Sequence, residues 1–239
     1  MQIIGALVGL IYRSLFMSGE TGLRAAPSVL KITIIILSAL IYIPFYNEPY
    51  IPVLILSITG LLGFNRWWAG ASLALSSIPG IWYGLTAYLF GFLGFAAHIS
   101  PIDASMIYFR TTYISFLVLF AGSIISPVQL SNFLIKIGLG DKAITPIILW
   151  RTMPAGLHDM MESLAIGALK GEKAWKRLGP ATASMIEYSR IVWENNYYRL
   201  ELPLKTLLPY RSEKKYVVLL LASILFEASI LVLYVLRII

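Results

Sequence analysis

Five stretches of the chain are apolar for close to the length of a bilayer span, and a long segment mixing apolar with charged positions separates the last two. The first run covers about 29–46, VLKITIIILSALIYIPFY. The second, near 50–64, reads YIPVLILSITGLLGF and is short enough to tilt or to thin the bilayer locally. A third, near 69–96, carries SSIPG at its middle, where Pro79 and Gly80 predict a kink or a split into two pieces. The fourth lies near 106–126 and the fifth near 216–236. At about 1.5 Å per residue the fifth matches an apolar core of about 30 Å. The opening MQIIGALVGLIY lacks the charged start and cleavage site of a secretory signal, is too short to span, and reads as an interfacial helix.

Residues 149–177, LWRTMPAGLHDMMESLAIGALKGEKAWKR, follow a different pattern. Pro154 fits the first turn of a helix, where its missing N–H costs nothing, with Thr152 or Met153 as cap. From there Leu157, Met160, Met161, Leu164 and Ala168 share one helical face, and Asp159, Glu162, Ser163 and Lys170 share the other. Gly171 supplies a left-handed stop. Gly179-Pro180 opens a second helix with a stripe of Met185, Ile186, Ser189, Val192 and Trp193. Glu187, Arg190, Glu194 and Tyr198 take its other faces, and Leu202-Pro203 closes it. Arg199 falls in its last turn, where a cation suits the helix dipole. The pattern thus predicts amphipathic helices over about 155–170 and 181–200, joined by the basic and aromatic EKAWKRLG.

Composition fixes the class as an all-α polytopic membrane protein. Charged residues make up 13% of the chain, half the share of about 25% in soluble domains, and hydrophobic residues 58%. Cysteine is absent, which excludes disulfides, thiolate metal sites and a cysteine nucleophile. His98 and His158 are the only histidines, too few for a histidine metal site. The formal charge of +7 reports sidedness here rather than nucleic acid as a partner. Thirteen of the 19 basic residues fall in 131–215. With Arg13, Arg24, Lys31 and Arg66 on the same side, an odd number of spans places the N-terminus and 128–215 in the cytoplasm and the C-terminus outside. Three regions follow: 1–127 with four spans, 128–215 as the cytoplasmic segment, and 216–239 as the final span.

Two charges interrupt the apolar runs. Arg110 either marks a functional pathway or snorkels to the nearby outer interface. Glu227 cannot snorkel far and is expected to face other helices, protonated or hydrogen-bonded. In the cytoplasmic segment, helices lying on anionic headgroups would explain the basic residues. The eight acids of 131–215 instead suit a protein docking platform of mixed charge.

Chemistry-bearing motifs are missing. The sequence contains no G-x-x-x-x-G-K-[ST] loop, no HExxH, no GxSxG and no paired carboxylates, so no enzymatic activity and no cofactor are expected. His158 and Asp159 are neighbours on a helix, about 100° apart, and form no dyad.

The stretch TTYISFLVLFAGSIISPVQLSNFLIKIGLGDKAITPIILWRTMPAGLHDMMESLAIGALKG resembles the transmembrane T component of energy-coupling factor type ABC transporters. The resemblance rests on a span ending in Ser126-Pro127, a short helix leading to IGLGDKA, an Arg-x-x-Pro junction from Arg151 to Pro154, and a long helix after it. SLFMSGETGLRAAPSVLKI is similar to the family's lead-in to span one, with Pro27 and Lys31 at matching places. The likeness covers about 14–35 and 105–200. In the family, two Ala-Arg-Gly or Ala-Arg-Ser motifs end two coupling helices and insert into grooves of paired ATPase subunits. Here the first reads Leu169-Lys170-Gly171 and the second Tyr198-Arg199-Leu200. Lysine lacks the planar bidentate fork of arginine, so the first contact departs from the family's.

The resemblance implies a coupling subunit whose partners are two ATP-binding cassette ATPases, a small substrate-binding membrane subunit and the lipid bilayer. ATP-driven closure of the ATPases would move the two helices and tip the substrate-binding subunit, for vitamin or transition-metal-ion uptake across the plasma membrane. The ATPase-docking residues would be Lys170, Gly171, Tyr198 and Arg199, with Arg151 and Pro154 at the helix junction. Gly60, Gly63, Gly70, Gly84, Gly91 and Gly94 would allow close helix contacts, which ordinary membrane packing also explains. Two other classes compete: a self-contained secondary transporter, which should show inverted repeats, and a membrane-embedded enzyme with HDMME as its carboxylate cluster.

Overall fold

A computed structural model describes residues 2–15, 21–94, 99–171, 174–199 and 212–236 of the chain. Among these residues every regular element is helical. The order is α1 (Gln2–Leu15), a 3-10 turn (Gly22–Ala25), α2 (Ser28–Ile41), α3 (Tyr50–Gly63), α4 (Arg66–Phe92) and α5 (Pro101–Ile124). Then come α6 (Pro127–Lys136), a 3-10 turn (Gly140–Lys142), α7 (Thr145–Leu169), α8 (Ala174–Arg199) and α9 (Lys214–Val235). The chain divides into two compact units, one within Met1–Tyr12 and Ser126–Arg211, the other within Arg13–Ile125 and Ser212–Ile239.

Three helices of the second unit, α4, α5 and α9, are long and apolar enough to cross a membrane. They correspond to the third, fourth and fifth apolar runs. The first two runs form the shorter apolar helices α2 and α3, 14 residues each. At about 1.5 Å per residue each is about 21 Å long, less than a hydrocarbon core of about 30 Å. Helix α2 gives way at Tyr42 to a run of turns that ends before Pro49.

Local chemistry sets the helix starts. Asn65 caps α4 by accepting the Trp68 N–H at 2.7 Å. Ser100 and Asp103 close a capping box on α5, with Pro101 in its first turn. The expected split does not occur: α4 is one continuous helix through Pro79. Nearby hydroxyls turn inward to the backbone: Ser76 Oγ donates to the Ser72 carbonyl at 2.7 Å, and Ser77 Oγ to the Leu73 carbonyl at 2.8 Å. Such bonds are a usual accompaniment of helix adjustment at proline.

Ser72, Ser76, Gly80 and Gly84 are all buried and recur every four residues, a small-residue row that lets α5 approach. A Cβ on Gly80 would lie 2.2 Å from Thr112 Oγ1 and 2.9 Å from the Tyr108 carbonyl. One on Gly84 would lie 3.0 Å from the Ala104 carbonyl. Of the glycines singled out from the sequence, Gly84 makes this contact; Gly60 and Gly63 receive Trp68 and Leu23; Gly70 and Gly94 face open space.

The interior of this unit is aromatic and aliphatic, with Trp68, Tyr113, Phe116, Phe120, Ile34 and Leu220 at its centre. Polar bonds run through it. Trp68 Nε1 donates to the Ser14 carbonyl at 2.8 Å and to Ser123 Oγ at 2.9 Å, and Ser123 Oγ donates to the same Ser14 carbonyl at 2.7 Å. Arg24 is fully buried and donates from Nε to the Ser123 carbonyl at 2.7 Å. That carbonyl belongs to the last turn of α5, where helix carbonyls lack partners and the dipole favours a cation. Lys31, also buried, donates in the same manner to the Arg24 carbonyl. Two cations that count toward sidedness in the sequence are therefore structural ties.

The two charges that interrupt the apolar runs are met differently. The Arg110 guanidinium lies over the Tyr46 ring, 3.7 Å from its centroid, and donates to the Tyr46 hydroxyl at 3.0 Å and carbonyl at 3.1 Å. It is a clamp on the turn after α2. Glu227 faces other helices as expected: it is 1% exposed, and both carboxyl oxygens lie 3.0 Å from Ser38 Oγ. The Ser38 carbonyl in turn accepts the Tyr113 hydroxyl, joining α2, α5 and α9.

Two outcomes test this packing. Gly80→Ala should lower the thermal unfolding midpoint in detergent, by an overpacking cost of about 1–3 kcal/mol, while Gly70→Ala leaves it unchanged or raised. Ser38→Ala should cost about 1–3 kcal/mol by stranding the Glu227 carboxyl. The double variant Ser38→Ala with Glu227→Leu should recover most of that loss, since removing both partners is nearly neutral.

Candidate functional site

The first unit is organised around α7 and α8, which are packed together as a hairpin, with α6 against α7. Helix α7 begins at Thr145, with Pro146 in its first turn, ten residues before the expected start. Pro154 is thus interior and not a helix opener, and the Arg151–Pro154 junction lies within one continuous helix. The same correction applies to α8, which begins at Ala174 and carries Pro180 inside it. A proline in a helix interior costs about 3 kcal/mol, an amount that packing along a hairpin of this length can offset. Beside each proline a hydroxyl bonds the backbone: Thr152 Oγ1 to the Leu149 carbonyl at 3.3 Å, and Thr182 Oγ1 to the Gly179 carbonyl at 2.9 Å. From sequence, Pro146 and Pro154 carry the same signal, and only the tertiary contacts decide which one opens the helix.

Most of the predicted stripe of α7 faces inward. Leu157 and Leu164 are buried and Met160 and Ala168 half-buried, and Ile148 and Thr152 extend that face toward the start of the helix. Met161, at the edge of the stripe, is exposed. Glu162 and Lys170 are exposed as expected, whereas Asp159 and Ser163 are half-buried; His158 is exposed. His158 Nε2 lies 3.4 Å from Glu162 Oε1, one turn along, rather than pairing with Asp159. Among the described side chains of α8 the fully buried one is Ala181. Ile186 stands about 140° around the helix from it and is exposed, so it leaves the predicted stripe. Glu187, Arg190 and Glu194 are exposed, with Arg190 Nε 3.1 Å from Glu194 Oε1. The side chains of Met185, Ser189, Val192 and Trp193 lie outside the described ones, as does the Leu202-Pro203 closure.

The tips are placed as follows. Gly171 has φ +72°, the left-handed stop predicted for it. Its N–H bonds the Ala168 carbonyl at 3.0 Å, and the Lys170 N–H bonds the Ile166 carbonyl at 3.1 Å, so the last carbonyls of α7 are used. Lys170 is exposed at this turn. Tyr198 and Arg199 are the last two residues of α8, their side chains outside the described ones. The Arg151 side chain is likewise outside them. The structure does not bring the two tips together. Helix α8 starts within three residues of Gly171 and ends at Arg199, so its length of about 39 Å separates them.

One feature of the tip escaped the sequence reading. Leu169, adjoining Lys170, is 89% exposed, the most exposed large apolar side chain among the described residues. Ile166, one turn earlier, is 53% exposed. The signal was available: Leu169 stands about 140° from Leu164 on the helical wheel, so it cannot join the buried stripe. Among the described residues no group of three His, Asp or Glu could hold a metal ion. Comparison with family models, curated proteins and solved structures gives no match.

The turn yields a test of its own. Gly171→Ala forces a side chain into the left-handed region at about 1–2 kcal/mol. Faster amide exchange should result at the end of α7, with the exchange of α4 and α5 unchanged.

Proposed function

We propose that this chain is the transmembrane coupling subunit of an energy-coupling factor type ABC transporter. In this role it takes no part in chemistry and needs no cofactor. It carries motion from two ATP-binding cassette ATPases to a small substrate-binding membrane subunit, for uptake of a vitamin or a transition-metal ion. Helices α2 and α3 serve as two shorter spans beside α4, α5 and α9, with the N-terminus and the α6–α8 segment in the cytoplasm and the C-terminus outside.

The observation that carries this reading is the exposed turn Leu169-Lys170-Gly171 at one end of a two-helix lever whose other end is Arg199. A lever must resist bending. Two helices of 25 and 26 residues packed along each other supply that stiffness, and the glycine stop makes the turn short. The tip pairs a bare apolar side chain with an exposed cation, a combination suited to a groove on a partner that is apolar within and acidic at its rim. A separation of about 39 Å along α8 suits two contacts on two motor subunits rather than one contact on one. The exposed Glu187, Arg190 and Glu194 favour a protein partner over a lipid surface for this part of the hairpin.

Charge reversal at the tips tests the assignment. Arg199→Glu, and to a lesser degree Lys170→Glu, should abolish copurification of paired ATPases in mild detergent while membrane insertion stays intact. Loss of a charge contact at an interface is worth about 2–5 kcal/mol, or an affinity loss of more than about 25-fold. Wild-type copurification by both variants would remove these two positions from the reading.

A further inference from the structure

The short helix α6 presents an apolar face that the fold leaves uncovered. Leu130, Phe133 and Ile137, at spacings of three and four, are 40%, 57% and 52% exposed, and Leu139 in the following turn is 44% exposed. They lie within about 60° of one another on the helical wheel. Ser131, about 100° around from Leu130, is buried against the protein, as is Pro127 at the helix start. From Ser126 to Gly140 the chain carries no acid, and its single charge is Lys136, exposed in the last turn; Lys142, also exposed, follows in the 3-10 turn.

Covalent geometry limits where this face can be. Helix α6 begins three residues after α5 ends, across an extended link of Ile125 and Ser126. The cap is fixed: Ser126 Oγ accepts the Gln129 N–H at 3.1 Å, and Pro127 occupies the first turn. At about 3.3 Å per residue, α6 starts within about 10 Å of the end of a helix long and apolar enough to cross a membrane. Ile125 in the link is itself 44% exposed and apolar.

From this juxtaposition we propose that α6 is an interfacial membrane helix. Leu130, Phe133 and Ile137 enter the headgroup–acyl boundary of the leaflet at which α5 ends, and Lys136 and Lys142 meet anionic headgroups. Two arguments select lipid over a protein partner. The segment is joined in the chain to the end of a helix long and apolar enough to span, and from Ser126 to Gly140 its single charge is a cation, the acid Asp141 following only beside Lys142 in the 3-10 turn, whereas the exposed faces of α7 and α8 carry acids as well as bases. Apolar side chains with flanking lysines on a helix lying in the plane of the interface give binding that rises with the fraction of anionic lipid. The proposal requires α5 to span the membrane, and it does not depend on the coupling function.

The absence of native cysteine makes the test direct. Leu130→Cys, Phe133→Cys, Ile137→Cys and Lys142→Cys are each spin-labelled in the full chain and placed in nanodiscs of mixed zwitterionic and anionic phospholipid. Collision with oxygen, which concentrates in lipid, is compared with collision with a water-soluble nickel chelate. The first three positions should favour oxygen several-fold more than Lys142→Cys does. Nickel accessibility equal to that at Lys142→Cys would overturn the proposal by showing water at this face. Protection from both reagents would overturn it in favour of a protein cover. The three positions report independently, so loss of one variant to misfolding leaves the reading decided by the others.

Discussion

Trp68 holds a position on which much of the membrane unit depends. Its indole N–H reaches both the Ser14 carbonyl and the Ser123 hydroxyl, and its ring packs on Phe64, Phe116 and Phe120. Between helices in lipid the hydrophobic effect gives no net attraction, because acyl chains are as apolar as leucine. Association then relies on close packing and on hydrogen bonds that have no water to compete with them. Around Ser123, one site collects the tail of α1, the start of α4, the end of α5 and the buried Arg24, and Lys31 extends the tie to α2. Each donor meets a carbonyl or hydroxyl that a helix end or a sharp turn would otherwise leave without a partner.

A second constraint is steric. The α4–α5 pair is close because a row of serine and glycine removes side chains where the two backbones meet. This contact runs past Pro79, and it explains why a residue that usually breaks a helix leaves α4 continuous. The same behaviour recurs at Pro154 and Pro180 in the hairpin. In all three helices nearby hydroxyls bond backbone carbonyls, and in each case packing against a second long helix outweighs the local penalty.

The two units divide the residue types by the solvents they meet. The membrane unit turns its apolar surface outward, as Val29, Ile32, Ile81, Trp82 and Val218 show, and keeps its polar groups paired within. The hairpin does the opposite with its charges, exposing Glu162, Glu187, Arg190 and Glu194. Against that polar background the bare Leu169 and the apolar face of α6 are exceptions of two kinds. The first is isolated beside a cation at a turn, and the second is continuous with a helix end.

The sequence alone determined what depends on neighbours within one or two turns. Apolar periodicity located every long helix of the described residues, Gly171 marked its stop, and Ser126-Pro127 marked the corner before α6. Composition gave the class, and the distribution of lysine and arginine gave an expected sidedness. Contacts distant in the chain decided the rest. Which of two prolines opens α7, whether Pro79 splits α4, and on which side Ile186 lies depend on the helix packed alongside. So does the conversion of Arg24 and Lys31 from loop charges into internal ties. A propensity is worth about 1–3 kcal/mol at one residue, whereas packing along a helix sums many such terms, so the tertiary structure overrules the local signal wherever two long helices meet.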